Sequence, residues 1–125
     1  MATVLVVDDT AVIRDTVARL LKREGYDTIC AGSGKEALDA LNTTDADLML
    51  LDIMMPEMDG MECLSLLRKD SRWRELPVII MSALSDEEHL RKAEQLGARD
   101  YLVKARFTIT QILDRVKAAV RKHEN

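Results

Sequence analysis

Five short apolar runs rich in branched residues recur along the chain, at Thr3 to Val7, Asp27 to Ala31, Asp47 to Leu51, Val78 to Met81 and Arg99 to Val103. Near-continuous apolar runs of this length predict strands covered on both faces. Between them the period changes. Ile13, Val17, Leu20 and Leu21 share one helical face, as do Ile109, Ile112, Leu113, Val116, Ala119 and Val120, which predicts amphipathic helices with one buried stripe. Alternating strands and helices imply a parallel sheet with right-handed crossovers and helices on both faces. The pattern predicts one doubly wound α/β domain over residues 1–125, with no linker.

Chemical signals mark the helix ends. Ser33 with Glu36, Ser85 with Glu88, and Thr108 with Gln111 have capping-box spacing, in which side chains satisfy the orphan backbone donors of a first turn. Gly25 and Gly97 follow helical runs where a residue free to take positive φ closes the helix. Lys117, Arg121 and Lys122 suit the negative end of a last helix.

Composition narrows the classes without choosing among them. The chain is 47% hydrophobic and 32% charged, with no tract biased toward disorder or a fibre. A net charge of −4 argues against a nucleic-acid or anionic-membrane partner. Cys30 and Cys63 lack metal-type spacing and are expected to be buried and reduced. No segment approaches the ~20 apolar residues of a membrane span, and no signal peptide precedes the first strand, so a cytoplasmic location is expected. Six of the seven methionines cluster around the middle strands and are read as core and loop filling.

A doubly wound sheet binds its ligand beyond the carboxyl ends of its strands. There Asp8 and Asp9 end the first strand, Asp52 the third and Ser82 the fourth, while Lys104 follows the fifth. Taken singly, each has a structural reading as a cap, a turn residue or a solvated charge. Together, three clustered carboxylates repel one another, and a hard cation such as magnesium is the economical compensation. Asp52, followed by the apolar Ile53-Met54-Met55-Pro56, suits a nucleophile that attacks a phosphoryl group while metal and lysine neutralise the transferring oxygens. Gly32-Ser33-Gly34 lacks the third glycine or the lysine of a phosphate loop and reads as a turn into a capped helix.

The Asp8-Asp9 pair, Asp52 followed by Met54, Pro56, Asp59 and Gly60, the Ser82-Ala83 step, and Tyr101 three before Lys104 together resemble the response-regulator receivers of two-component signalling. The resemblance covers essentially the whole chain. It implies the flavodoxin-like strand order 2-1-3-4-5, with five flanking helices. It further implies that Asp8, Asp9, Asp52 and the backbone carbonyl of Met54 hold Mg2+, and that Asp52 takes phosphate from a phosphohistidine on a sensor histidine kinase or phosphotransferase. Lys104 and Ser82 then bind the phosphoryl oxygens, and Tyr101 rotates as the face of the fourth helix, fifth strand and fifth helix changes shape toward a downstream partner. Such a protein is a switch that catalyses only its own phosphorylation and dephosphorylation.

The chain departs from the family in places. Ala105 stands where receivers usually place a proline after the rim lysine, leaving the geometry of the Lys104-Ala105 bond open. Met54 and Leu84 occupy the positions that tune phosphate lifetime, and neither side chain can orient an attacking water, which predicts slow self-dephosphorylation. Trp73 is expected at the end of the sheet away from the acids. Two alternatives are a pseudo-receiver that binds partners without phosphorylation and a small Mg-dependent phosphohydrolase. The first would not need the full acid cluster, and the second would need an Asp-x-Asp signature that Met54 interrupts.

Overall fold

A computed structural model describes residues 2–124, with side chains through Arg121, so the expected part of Lys122 in a final turn lies outside the described side chains. Ten main elements alternate: β1 (Thr3–Val7), α1 (Ala11–Arg23), β2 (Asp27–Ala31), α2 (Gly34–Thr43), β3 (Leu48–Asp52), α3 (Gly60–Lys69), β4 (Val78–Ser82), α4 (Glu87–Gln95), β5 (Asp100–Val103) and α5 (Ile109–Glu124). All strand pairs are parallel, in the order β2-β1-β3-β4-β5, the doubly wound order expected.

The strands separate two apolar layers. On one face Val17, Ala18 and Leu21 of α1 meet Ile112, Leu113, Val116, Ala119 and Val120 of α5. On the other, α2, α3 and α4 pack over Leu5, Met49, Leu51 and Ile80. β3 and β4 lie at the centre with every residue buried, which is why their sequences read as unbroken apolar runs. Each fully buried Leu or Ile there contributes roughly 1.5–3 kcal/mol relative to exposure.

Three boundary expectations shift. β3 begins at Leu48 and ends on Asp52, β4 runs on to Ser82, and β5 starts at Asp100. In each case the ladder decides, not polarity: Asp52 pairs with Met81 and Ser82 with Val103 in register. Both polar residues are therefore held by strand hydrogen bonding rather than by loops.

Capping follows the expected chemistry at two of three starts. Ser33 Oγ accepts from the Glu36 N–H at 3.1 Å, and Thr108 and Gln111 exchange reciprocal bonds of 2.8 and 3.2 Å. The Ser85–Glu88 box does not form. Asp86, one residue on, caps α4 by accepting from the His89 N–H at 3.3 Å, and its carboxylate also bonds the His89 ring at 2.8 Å. A carboxylate with a second partner outcompetes the neighbouring hydroxyl. Gly25 and Gly97 take φ of 97° and 74° after their helices, as their positions require.

Cys63 is buried in the α3 layer, where desolvation pushes its thiol up to about 11. Cys30 departs from expectation and is exposed. It lies on the edge strand β2, beside a hollow formed with Asp15, Ala18 and Arg19 of α1, so one side of that strand is incompletely covered.

Candidate functional site

The carboxyl ends of β1, β3, β4 and β5 converge on one rim. Asp8 follows β1 and is 2% exposed; its N–H continues the ladder to the Ala31 carbonyl at 3.1 Å. Its Oδ1 accepts from the Thr10 N–H at 2.9 Å and its Oδ2 accepts from Lys104 Nζ at 3.0 Å. Asp9 is exposed to solvent. Asp52 closes β3 at 4% exposure, its Oδ1 lying 3.4 Å from the Met54 N–H and 3.5 Å from Lys104 Nζ. Oxygens of Asp8, Asp9 and Asp52 all lie within 4.8 Å of one another.

A glycine makes room for the acceptor. A Cβ on Gly60 would lie 2.3 Å from the Asp52 carbonyl oxygen, so only glycine lets α3 start against the end of β3. Its N–H donates to the Ile53 carbonyl at 2.8 Å. Asp59, just before, caps α3 by accepting from the Glu62 N–H at 2.8 Å. In the intervening loop Glu57 adopts φ of 68°, a left-handed conformation uncommon outside glycine.

Charge at the rim is unbalanced: three carboxylates face one ammonium. Burial first, and then the Asp8 carboxylate, push Asp52 up to about 6 against the opposing pull of Lys104. The donor set fits magnesium, because carboxylate oxygens suit a hard cation and the crowded negative charge calls for one.

Ser82 is fully buried at the end of β4, and its Oγ accepts from the Leu84 N–H at 3.0 Å. The Leu84 carbonyl in turn accepts from the Tyr101 hydroxyl at 2.9 Å. One backbone residue therefore joins the rim serine to the aromatic of β5, a link that sequence spacing does not reveal. Burial raises the Tyr101 phenol above its ordinary value. Met54 and Leu84 line one hollow of about 450 Å3 beside the rim, with Ile53, Met55, Pro56, Asp59 and His89.

Lys104 opens a short 3-10 turn, Lys104–Arg106. Among the described residues there is no cis peptide, so the Lys104-Ala105 bond is trans. Trp73 lies before β4, at the opposite end of the sheet, where it borders a cavity with Leu41, Asn42 and Asp45.

Two arginines at functional or structural joints escape sequence reading. Arg14 donates from Nη1 to the Asp8 carbonyl at 3.1 Å. Arg68 of α3 donates to the carbonyls of Leu96, Trp73, Leu76 and Gly97 at 2.7, 3.1, 2.8 and 3.2 Å. Both serve backbone carbonyls, which leave no side-chain signature.

Comparison with known proteins gives one family. Residues 4–117 match the model of the response regulator receiver domain. Among solved structures, the receiver domain of a Francisella response regulator is 37% identical, with a TM-score of 0.88 and 98% of each chain covered. Chemotaxis protein CheY4 of Vibrio cholerae is 30% identical, with a TM-score of 0.89 over 95% of this chain and 98% of that one. TrrA of Thermotoga maritima, solved in complex with Mg2+-BeF, is 32% identical, with a TM-score of 0.83 over 95% and 99%.

Proposed function

From the premise that the chain belongs to the response regulator receiver family of two-component signalling, we propose that it is a switch whose acceptor is Asp52. The observation that carries this reading is the meeting of Asp8, Asp9 and Asp52 oxygens within 4.8 Å, with Lys104 Nζ 3.0 and 3.5 Å from the two buried acids. Asp8, Asp9 and Asp52, with the Met54 carbonyl, would hold Mg2+, which supplies charge neutralisation at the transferring phosphoryl oxygens. The TrrA complex with Mg2+-BeF supports the same use of this rim.

A carboxylate oxygen of Asp52 attacks the phosphorus of a phosphohistidine carried by a kinase or phosphotransferase. The P–O bond forms as the P–N bond breaks, and the imidazole leaves with its electron pair and takes up a proton. Lys104 stabilises the charge building on the phosphoryl oxygens.

The product adds negative charge and acceptor oxygens at the end of β3. Ser82 donates its hydroxyl to them. Its bond to Leu84 is thereby altered, and the Leu84 carbonyl carries that change to Tyr101. The α4-β5-α5 face then presents a different shape to a downstream partner.

Intact mass after incubation with acetyl phosphate or phosphoramidate, with and without Mg2+, tests the acceptor. A Mg2+-dependent gain of one phosphoryl group that is absent in Asp52→Asn is expected. No gain from these donors or from a phosphorylated phosphotransferase would overturn the reading in favour of a phosphorylation-independent interaction module.

A further inference from the structure

Asp9 is the weak point of the acid cluster. It is exposed, and among the described residues no hydrogen bond or ion pair holds its carboxylate. Its position is therefore inherited from the backbone that precedes it. The peptide joining Asp8 to Asp9 is planar, so the direction of the Asp8 carbonyl fixes where the Asp9 Cα and side chain begin.

That carbonyl is gripped by Arg14. The guanidinium Nη1 donates to it at 3.1 Å, and Nε faces Asp15 Oδ1 at 3.5 Å. The Arg14 side chain is only 21% exposed, against 68% for Asp15. The first turn of α1 closes the loop from below, because the Arg14 N–H donates to the Thr10 carbonyl at 3.0 Å while the Thr10 N–H donates to Asp8 Oδ1 at 2.9 Å. On the other flank a Cβ on Gly32 would lie 2.9 Å from Nη1 and 3.4 Å from Glu36 Oε2. The absent side chain at position 32 leaves the guanidinium its place.

We propose that Arg14 is a positioning residue for the divalent-cation site: by fixing the Asp8–Asp9 peptide it holds the solvent-exposed Asp9 carboxylate within reach of Asp8 and Asp52. This deepens the reading of the rim as a Mg2+ site and rests on it. Groups that orient ligands without touching the metal commonly change its affinity by 10–100-fold.

Mn2+ serves as the probe, titrated by electron paramagnetic resonance into the full chain and its variants, each checked for folding by circular dichroism. Arg14→Ala is expected to weaken Mn2+ binding about tenfold. Arg14→Lys, with charge but no fork of donors, recovers part of the loss. Gly32→Ala, which keeps Arg14 but crowds Nη1, weakens binding in the same direction and by less, and Asp15→Asn stays close to the unmodified chain. In acetyl phosphate assays Arg14→Ala raises the Mg2+ concentration needed for half-maximal rate, and saturating Mg2+ restores most of that rate. In cation-free protein the Thr10 amide exchanges faster in Arg14→Ala. A folded Arg14→Ala variant with Mn2+ affinity within about twofold of the unmodified chain, and unaltered Thr10 exchange, overturns the proposal. If the unmodified chain binds no Mn2+, the cation reading of the rim fails. The proposal falls with it, and Thr10 exchange then reports only whether Arg14 fixes the Asp8–Asp9 peptide, which separates a failure of the rim from a failure of the arginine.

Discussion

Asp52 illustrates how burial sets the behaviour of one residue. Its carboxyl is pushed up to about 6 by desolvation and by Asp8, whereas an unfolded chain leaves it near ~3.9. Between those values the folded state binds the extra proton, so the neutral form's contribution is present below about pH 4 and is lost as pH rises through about 6. Above that, the charged acid costs the fold about 2 kcal/mol, after allowance for relaxation of the site. Asp52→Asn is therefore expected to raise the melting temperature at pH 8 in cation-free buffer by roughly 5–10 °C, with no gain at pH 4; thermal unfolding across that range checks it. Under the proposed function, an aspartyl phosphate on Asp52 would face the hollow lined by Met54 and Leu84, whose side chains offer no hydrogen bond to an attacking water. Met54→Asn and Leu84→Lys are expected to shorten the phosphate half-life relative to the unmodified chain, as followed by decay of the phosphorylated mass. These acids and their neighbours were readable in sequence because strand ends in a parallel sheet share a rim. Arg14 and Asp86 were not. Arg14 answers to a carbonyl, and Asp86 competes with an adjacent serine of equal spacing, a contest settled by the second bond its carboxylate makes to the His89 ring, which the capping-box pattern does not count.

Elements differ in how firmly they are held. α4 buries only Ala93, while α5 on the opposite layer buries five apolar residues. Hydrogen exchange in the unphosphorylated protein is expected to be fastest, among the helices, in α4, because opening it exposes little apolar area; protection equal to that of α5 would contradict this. Arg68 works against that looseness at the far end of α4, where it joins α3 to the α4–β5 turn through the carbonyls of Leu96 and Gly97 and to the pre-β4 loop through those of Trp73 and Leu76. Arg68→Ala leaves four carbonyls without this donor and is expected to cost about 3 kcal/mol in urea unfolding, and Arg68→Lys to recover little, since one ammonium cannot span them all. Helical periodicity located α3 and α4 but not this tie, since its partners lie up to 29 positions away. Likewise the apolar run of β2 read as covered on both faces, whereas strand order places it at the edge and leaves Cys30 exposed.

The whole molecule is polarised along its strands. The acid rim lies at their carboxyl ends, and Trp73 packs beside Leu41 and Leu76 at the other end, with Arg72 over its ring at 4.0 Å. Adding Mg2+ is therefore expected to leave Trp73 fluorescence nearly unchanged, and strong quenching would contradict that separation. The same layout scatters the site along the chain. Lys104 and Asp8 make a 3.0 Å contact across 96 positions of sequence. A nascent or truncated chain lacking β5 carries both the acid pair and Asp52 but not the ammonium that opposes their charge. Under the proposed function, competence for phosphoryl transfer would arrive only once the chain has passed the last strand and reached Lys104, and an incomplete chain would lack a working acceptor with which to draw phosphate from its donor.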